Sequence, residues 1–133
     1  MKCSFSCSSL VAITLVLGAP ASAQDDATLS ARVDIVLADF SFTPSDLRLS
    51  AGKKVVLHFS NQGSGGHNFS APDFFAAATI DPASARLIAN GKVDLKKGTS
   101  ADIILTPKAG HYSVKCTHFL HSGFGMKGGI IVE

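Results

Sequence analysis

The chain has 133 residues, a formal net charge of +2 and few charged residues, 17% of the total. This length fits one domain preceded by a short N-terminal segment. The absence of a basic run with interleaved aromatic residues argues against a nucleic-acid-binding protein. The lysine pairs at 53–54 and 96–97 are interpreted as solvated strand ends, with partner docking as the alternative.

The N-terminal segment has the pattern of an export signal. Lys2 supplies a positive start, residues 10–17 (LVAITLVL) form a short apolar core, and residues 21–23 (ASA) provide a cleavage site. The apolar run is shorter than the roughly 18 residues that span a bilayer. We therefore predict a signal peptide at 1–23 and a mature domain at 24–133, exported to the periplasm without an integral membrane segment. An uncleaved anchor is the alternative.

Cysteine usage points to a metal. Cleavage removes Cys3 and Cys7 and leaves Cys116 as the one thiol of the mature chain. A single cysteine cannot form an internal disulfide, and an idle thiol outside the cytoplasm is exposed to oxidation. Metal binding would resolve this problem; a buried, inert cysteine is the alternative.

The mature chain shows apolar alternation interrupted by turn residues. Alternating or apolar runs occur at 31–38, 40–42, 47–49, 55–59, 93–95, 101–106, 111–116 and 130–132. Residues 72–90 differ, because Ala76–Ala78 favour helix, Asp73 is a candidate helix cap and Asp81-Pro82 is a candidate start of a second short turn. Six to eight short strands predict an all-β sandwich or barrel with a partly helical excursion at about 72–90.

The segment Cys116-Thr-His-Phe-Leu-His121-Ser-Gly-Phe-Gly-Met126 brings together a thiolate, imidazoles and a thioether. A further imidazole, His67, follows two glycines upstream. Two His, one Cys and a weak axial Met form the ligand set of a blue-copper electron-transfer centre. The candidate metal ligands are therefore His67, Cys116, His121 and Met126.

Each candidate ligand has an alternative interpretation. His118 competes with His121, because residues two apart on extended backbone share a face, but so short a chelate with Cys116 would strain a shared metal. His118 is otherwise a surface group or a neighbour of the ligands. His67 could be an ordinary loop residue, and Met126 could fill a gap in the core. His58 and His111 are interpreted as surface strand and turn residues.

The chain resembles the cupredoxins, of the plastocyanin, azurin and pseudoazurin kind. The resemblance lies in the segments FSFTP at 40–44, LRLSAGKKVV at 47–56, GHNF at 66–69, YSVKCT at 112–117, HS at 121–122 and GMKG at 125–128. Four residues separate Cys116 from His121, and four separate His121 from Met126. This loop is longer than the plastocyanin pattern and is similar to that of auracyanin and rusticyanin.

The resemblance implies a Greek-key β-sandwich that holds one copper ion, cycling between Cu(I) and Cu(II), through His67, Cys116, His121 and Met126. The expected function is that of a type 1 copper protein, not an enzyme, which carries single electrons between redox partner proteins by transient docking and is a monomer. A copper-binding module for trafficking or storage is the alternative.

The resemblance also implies contacts around the metal. Backbone N–H groups near Asn68 and in segment 117–118 are expected to point at the Cys116 sulfur, and Asn68 is expected to tie the two ligand-bearing segments together. Electrons are expected to pass through the edge of His121, inside an apolar patch formed by Phe119, Leu120, Phe124 and Met126. The alternative, which is compatible with docking, is that these side chains cover the metal from water.

Overall fold

The computed structural model describes residues 31–118 and 126–133. Within these residues the chain forms ten strands and two short helices. The strands are β1 (Ala31–Ala38), β2 (Ser41–Thr43), β3 (Asp46–Leu49), β4 (Val55–Asn61), β5 (His67–Ser70), β6 (Thr79–Ile80), β7 (Lys92–Leu95), β8 (Ser100–Thr106), β9 (Gly110–Lys115) and β10 (Lys127–Val132). The helices are α1 (Pro72–Ala77) and α2 (Pro82–Ala85).

The strands form two five-stranded sheets, with the orders β2-β1-β4-β8-β6 and β3-β10-β9-β5-β7. Strand β4 runs parallel to β1 and antiparallel to β8, whereas β10 runs parallel to β3 and antiparallel to β9. The predicted all-β sandwich is confirmed. The described residues hold more strands than the six to eight predicted, because β5 is buried at every position and shows no alternation, and β6 has only two residues.

The alternation seen in the sequence places one face of each long strand in the core. Ile35 and Leu37 on β1 and Leu57 and Phe59 on β4 have no exposed surface. Successive side chains of a strand point to opposite faces, so the intervening residues lie toward solvent. The apolar period therefore specifies which face of the sheet packs against the other sheet.

An aromatic cluster joins the two sheets beneath the strand that carries His67. The ring of Phe69, on β5, lies 5.5 Å from that of Phe42 and 4.8 Å from that of Phe59, both on the opposite sheet. It also lies 6.3 Å from the ring of Phe75 on α1. Aromatic pairs at these separations contribute beyond simple burial. The cluster therefore anchors β5, and with it His67, to the core.

The excursion at 72–90 is partly helical, as predicted, but its first helix begins differently. Helix α1 starts at Pro72 with Ala71 as its N-cap, and Asp73 lies inside the first turn. The prediction that Asp73 caps this helix is therefore wrong. Pro72 decides the start, because proline at the first helical position has no N–H to lose and has a fixed, helix-compatible φ.

The second helix follows its predicted signal and packs against the sheet. The side chain of Asp81 accepts a hydrogen bond from the Ala83 N–H at 3.0 Å, ahead of Pro82 at the first helical position. The buried hydroxyl of Ser84 accepts the Ile104 N–H of β8 at 2.8 Å. Residues 81–85 are thus fixed to the edge of the sandwich.

The export prediction concerns a part of the chain outside this description. The signal peptide at 1–23 lies outside the described residues and stays a prediction. Across residues 31–118 and 126–133, no helix has the length and apolar character needed to cross a membrane.

Candidate metal centre

The fold brings two of the predicted ligands into direct proximity. His67 is the first residue of β5, and Cys116 directly follows β9, one residue beyond the strand's end. Strands β5 and β9 pair through Ser70 and Lys115. The Cys116 Sγ atom lies 4.0 Å from Nδ1 of His67, and neither residue has exposed surface. A thiol and an imidazole nitrogen thus face each other in a buried site.

Met126 lies at the other end of the ligand-bearing segment. The Cys116 N–H donates to the Met126 carbonyl oxygen at 3.1 Å, next to the pairing of Lys115 with Lys127 between β9 and β10. Met126 is fully buried. It therefore contributes nothing to an exposed apolar patch, and that part of the patch prediction is wrong.

The other predicted ligand, His121, and the patch residues Phe119, Leu120 and Phe124 lie outside the described residues. The structure thus brings together His67 and Cys116 and connects Cys116 to Met126 through the backbone. The complete four-residue ligand set stays a prediction.

The sulfur of Cys116 accepts a hydrogen bond from the backbone N–H of Asn68 at 3.5 Å. This contact was expected from the resemblance. The N–H of Thr117 is directed to the Asn68 Oδ1 atom at 2.9 Å, so for Thr117 the expectation that the N–H groups of segment 117–118 point at the sulfur is wrong. For His118 it stays a prediction. The side-chain oxygen of Asn68 is the partner of the Thr117 N–H because it lies at an ideal hydrogen-bond distance.

Asn68 ties the two ligand-bearing segments together, as predicted. Its Nδ2 group donates to Thr117 Oγ1 at 2.9 Å and to Asp94 Oδ1 at 3.1 Å. With the bond that it accepts from the Thr117 N–H, this buried amide is bonded at both its nitrogen and its oxygen. Asn68 and Thr117 adjoin His67 and Cys116 in the sequence, so the amide holds the imidazole and the thiol in register.

Asn61, which sequence analysis did not single out, organises the loop before His67. Its Nδ2 group donates to the carbonyl oxygens of Gly65 and Leu95 at 2.9 and 3.0 Å, and its Oδ1 accepts the Gly63 N–H at 2.9 Å. The side chain is buried and satisfied at both ends. The loop between β4 and β5 therefore has a hydrogen-bonded interior.

One glycine of this loop is required by close packing. A Cβ built on Gly63 would collide with the Nε2 atom of His67 and lie 2.8 Å from Oδ1 of Asp39. A Cβ on Gly65 would meet nothing within 4 Å. The backbone thus approaches the imidazole closely at Gly63 and not at Gly65.

Asp39 was also missed by sequence analysis. Its Oδ1 atom lies 3.1 Å from Nε2 of His67 and accepts the Ser64 N–H at 2.9 Å. Hydrogen bonds from the side chain and backbone of Ser64, followed by the one with His67, hold the pKa of the Asp39 carboxyl below its usual value. No local motif marks this residue, because the contact depends on the packing of a distant hairpin turn.

The remaining histidines lie at the surface or close to it. His118 is exposed, its ring lies 6.5 Å from that of His67, and it lines a shallow pocket with Asp94. His58 on β4 is half-buried and its Nδ1 atom lies 2.6 Å from Asp102 Oδ1. His111 is exposed, on strand β9 and not in a turn.

The chemistry of the buried donors fits copper. A thiolate and an imidazole suit copper better than hard cations such as Mg²⁺ or Ca²⁺, which prefer oxygen ligands. Among the described residues, no group of three or more His, Cys, Asp or Glu side chains could hold a metal ion. The predicted third member, His121, is outside that part of the chain, and the thioether of Met126 belongs to none of these types.

The sequence matches the family model of the cupredoxin-like domain over residues 7–132. The chain belongs to the cupredoxin family. A search of curated proteins gave no match. The predicted family and fold class are confirmed, and so is the copper cofactor, since cupredoxins bind one copper ion.

Solved structures of auracyanins are similar to this cupredoxin. Auracyanin from the photosynthetic bacterium Roseiflexus castenholzii, reduced with sodium dithionite, is 21% identical; the match covers 78% of this chain and 98% of that chain, with a TM-score of 0.58. Auracyanin B, in space group P65, is 26% identical; the match covers 77% of this chain and 88% of that chain, with a TM-score of 0.56. These findings support a blue-copper electron carrier as the general class of this cupredoxin.

Proposed function

We propose that this cupredoxin is a type 1 copper protein that carries single electrons in the periplasm, with His67, Cys116, His121 and Met126 as its metal ligands. The observation that best supports the proposal is the 4.0 Å approach of Cys116 Sγ to His67 Nδ1 inside a fully buried site. A thiol and an imidazole nitrogen at this separation are arranged to share one ion.

Copper supplies the one-electron couple between Cu(I) and Cu(II) when it is bound. The protein's part is to keep its donor atoms in place in both oxidation states. His67 starts a strand that is anchored by the Phe69 cluster, and Cys116 is bonded through its backbone to Met126. Donors on rigid elements move little, and a small rearrangement favours rapid electron transfer.

The groups around the Cys116 sulfur influence the reduction potential of the site. The Asn68 N–H donates to Cys116 Sγ at 3.5 Å, and such a hydrogen bond stabilises negative charge on a thiolate. Burial of Cys116 excludes water and limits access of oxidants to the sulfur. The protein thus protects a reactive thiol that would otherwise be oxidised outside the cytoplasm.

We further propose that electrons pass through the edge of His121 into partner proteins. Cupredoxin electron carriers dock with redox partners, and a brief docking contact buries less than about 1,200 Å² in total. The apolar residues Phe119, Leu120 and Phe124 are the proposed docking surface. On this proposal the protein works as a monomer and carries no catalytic activity, because four protein ligands leave no open position for a substrate.

The alternative function is copper trafficking or storage. Rapid transfer of copper to an acceptor requires ligands that an incoming donor can reach. Here His67, Cys116 and Met126 are all fully buried. This burial favours a resident ion and an electron carrier. Reversible electrochemistry with slow copper exchange is expected, and rapid transfer of Cu(I) to an acceptor would support the alternative.

The decisive experiment is copper reconstitution of residues 24–133, followed by visible and electron paramagnetic resonance spectra. We expect intense visible absorption on oxidation and the small copper hyperfine splitting of a thiolate-ligated site. Cys116→Ala should abolish the colour, whereas Ser113→Ala, at an exposed position of the adjoining strand, should retain it. A Cys116→Ala protein that stays intensely coloured would contradict the proposal.

A further inference from the structure

Asp39 occupies a tight turn that places its carboxylate beside His67. Strands β1 and β2 pair up to Ala38 and Ser41, so Asp39 and Phe40 alone form the connection. Phe40 has a φ of 64°, which is an unfavourable backbone conformation for a bulky side chain. Such a conformation persists only where the surrounding structure fixes it.

The carboxylate contacts the loop and the imidazole with the same oxygen. Oδ1 of Asp39 accepts the Ser64 N–H at 2.9 Å and lies 3.1 Å from His67 Nε2. An ionised carboxylate can only accept hydrogen bonds. The proton of the neutral imidazole must therefore be on Nε2, which leaves a lone pair on Nδ1, the nitrogen that faces Cys116 Sγ.

We propose that Asp39 is a positioning residue for the metal, acting through His67. It fixes the tautomer and the orientation of the imidazole, and its negative charge increases the donor strength of Nδ1. A stronger nitrogen donor favours Cu(II) over Cu(I), so Asp39 lowers the reduction potential and strengthens binding of Cu(II). This inference rests on the proposed function for its effect on copper, but not for its effect on the imidazole.

The expected size of the effect follows from the exposure of the pair. The His67 side chain has no exposed surface, whereas that of Asp39 is 43% exposed. Solvent screens part of the carboxylate charge, but the hydrogen bond itself is direct. Loss of a carboxylate partner of a metal-bound histidine typically weakens metal binding 10- to 100-fold. The partial exposure places Asp39 at the lower end, at about 10-fold.

The test uses two substitutions of Asp39 and a matched control in protein purified after expression of the complete chain. Asp39→Asn removes the charge but keeps an oxygen that can still accept hydrogen bonds from the Ser64 N–H and from His67. Asp39→Ala removes both. Asp102→Asn is the control, because Asp102 also lies beside a histidine, His58, on an exposed strand face.

Two measurements are made on each protein. Long-range ¹H–¹⁵N spectra of the metal-free form report the tautomer of His67. Protein-film voltammetry and competition with a Cu(II) chelator report the reduction potential and the affinity of the copper-loaded form. The first measurement does not depend on copper binding.

We expect wild type and Asp39→Asn to carry the His67 proton on Nε2 and Asp39→Ala to show a mixture of tautomers. Both Asp39 variants should shift the preference toward Cu(I) about tenfold, which for a one-electron couple is about 59 mV, whereas Asp102→Asn should match wild type. A wild-type His67 protonated on Nδ1, or Asp39 variants with unchanged potential and Cu(II) affinity, would overturn the inference. Failure of wild type to bind copper would overturn the proposed function, while the tautomer of the metal-free form would still test the Asp39–His67 contact.

Discussion

Asn68 and Thr117 are joined by two hydrogen bonds of 2.9 Å. The Asn68 side-chain Nδ2 group donates to Thr117 Oγ1, and the Thr117 backbone N–H donates to Asn68 Oδ1. They directly follow His67 and Cys116 in the chain. The imidazole and the thiol are therefore held together by their neighbours, independently of any metal.

Asn68→Ala should weaken the metal-free protein, because it leaves the Thr117 N–H and hydroxyl without this partner. We expect a loss of about 1–3 kcal/mol in the free energy of unfolding, measured in urea. Thr117→Val removes only the hydroxyl bond and should cost less. Equal stability of Asn68→Ala and wild type would show that the two hydrogen bonds between Asn68 and Thr117 are not formed in solution.

Gly63→Ala should disturb the copper site, because the added Cβ collides with the imidazole of His67. We expect a shifted visible spectrum and faster loss of copper to a chelator. Gly65→Ala is the control, since its Cβ meets nothing within 4 Å. Identical spectra for the two variants would contradict the close approach at Gly63.

Asn61→Ala should loosen the loop before His67. The substitution removes the partner of the Gly63 N–H and of two carbonyl oxygens, and buried groups left unsatisfied cost about 1–3 kcal/mol. Urea unfolding and hydrogen exchange of the Gly63 amide measure the effect. The exposed neighbour Gln62 provides a control, and Gln62→Ala should be within about 0.5 kcal/mol of wild type.

Substitution of single histidines separates the two candidates for the second imidazole ligand. His121→Ala should lose the intense absorption of the copper form, and His118→Ala should keep it with a modest shift, because His118 lies at the surface beside His67. His111→Ala, at an exposed strand position, is the control. The assignment of His121 would be wrong if His121→Ala kept the intense visible absorption and His118→Ala lost it.

Much of the sandwich was predictable because its long strands follow a local rule. The buried faces of β1 and β4 appear in the sequence as apolar residues at every second position, and the structure buries Ile35, Leu37, Leu57 and Phe59 accordingly. Strands β5 and β6 do not follow this rule, since all four residues of β5 are buried and the two residues of β6 are too few to show a period. The start of α1 was misplaced because proline outweighed aspartate as a helix-start signal.

The predicted ligands were recognisable by their side-chain chemistry, but the residues that support them were not. Asp39 lies in the turn between two strands of one sheet and His67 begins a strand of the other, so their contact exists only after the β1–β2 turn packs against the loop at 61–66. Nothing in the sequence distinguishes Asn61 from an ordinary loop residue, because its bond to the Leu95 carbonyl oxygen joins residues that are distant in the chain. Such supporting contacts arise from tertiary packing, and the spacing of residues in the sequence does not predict them.

The backbone bond between the Cys116 N–H and the Met126 carbonyl oxygen has a consequence for evolution and engineering. It holds Cys116 beside Met126, where strand β9 ends and strand β10 is about to begin. We therefore expect strands β9 and β10, and the sandwich that contains them, to keep their arrangement when the number of residues between these two points is changed.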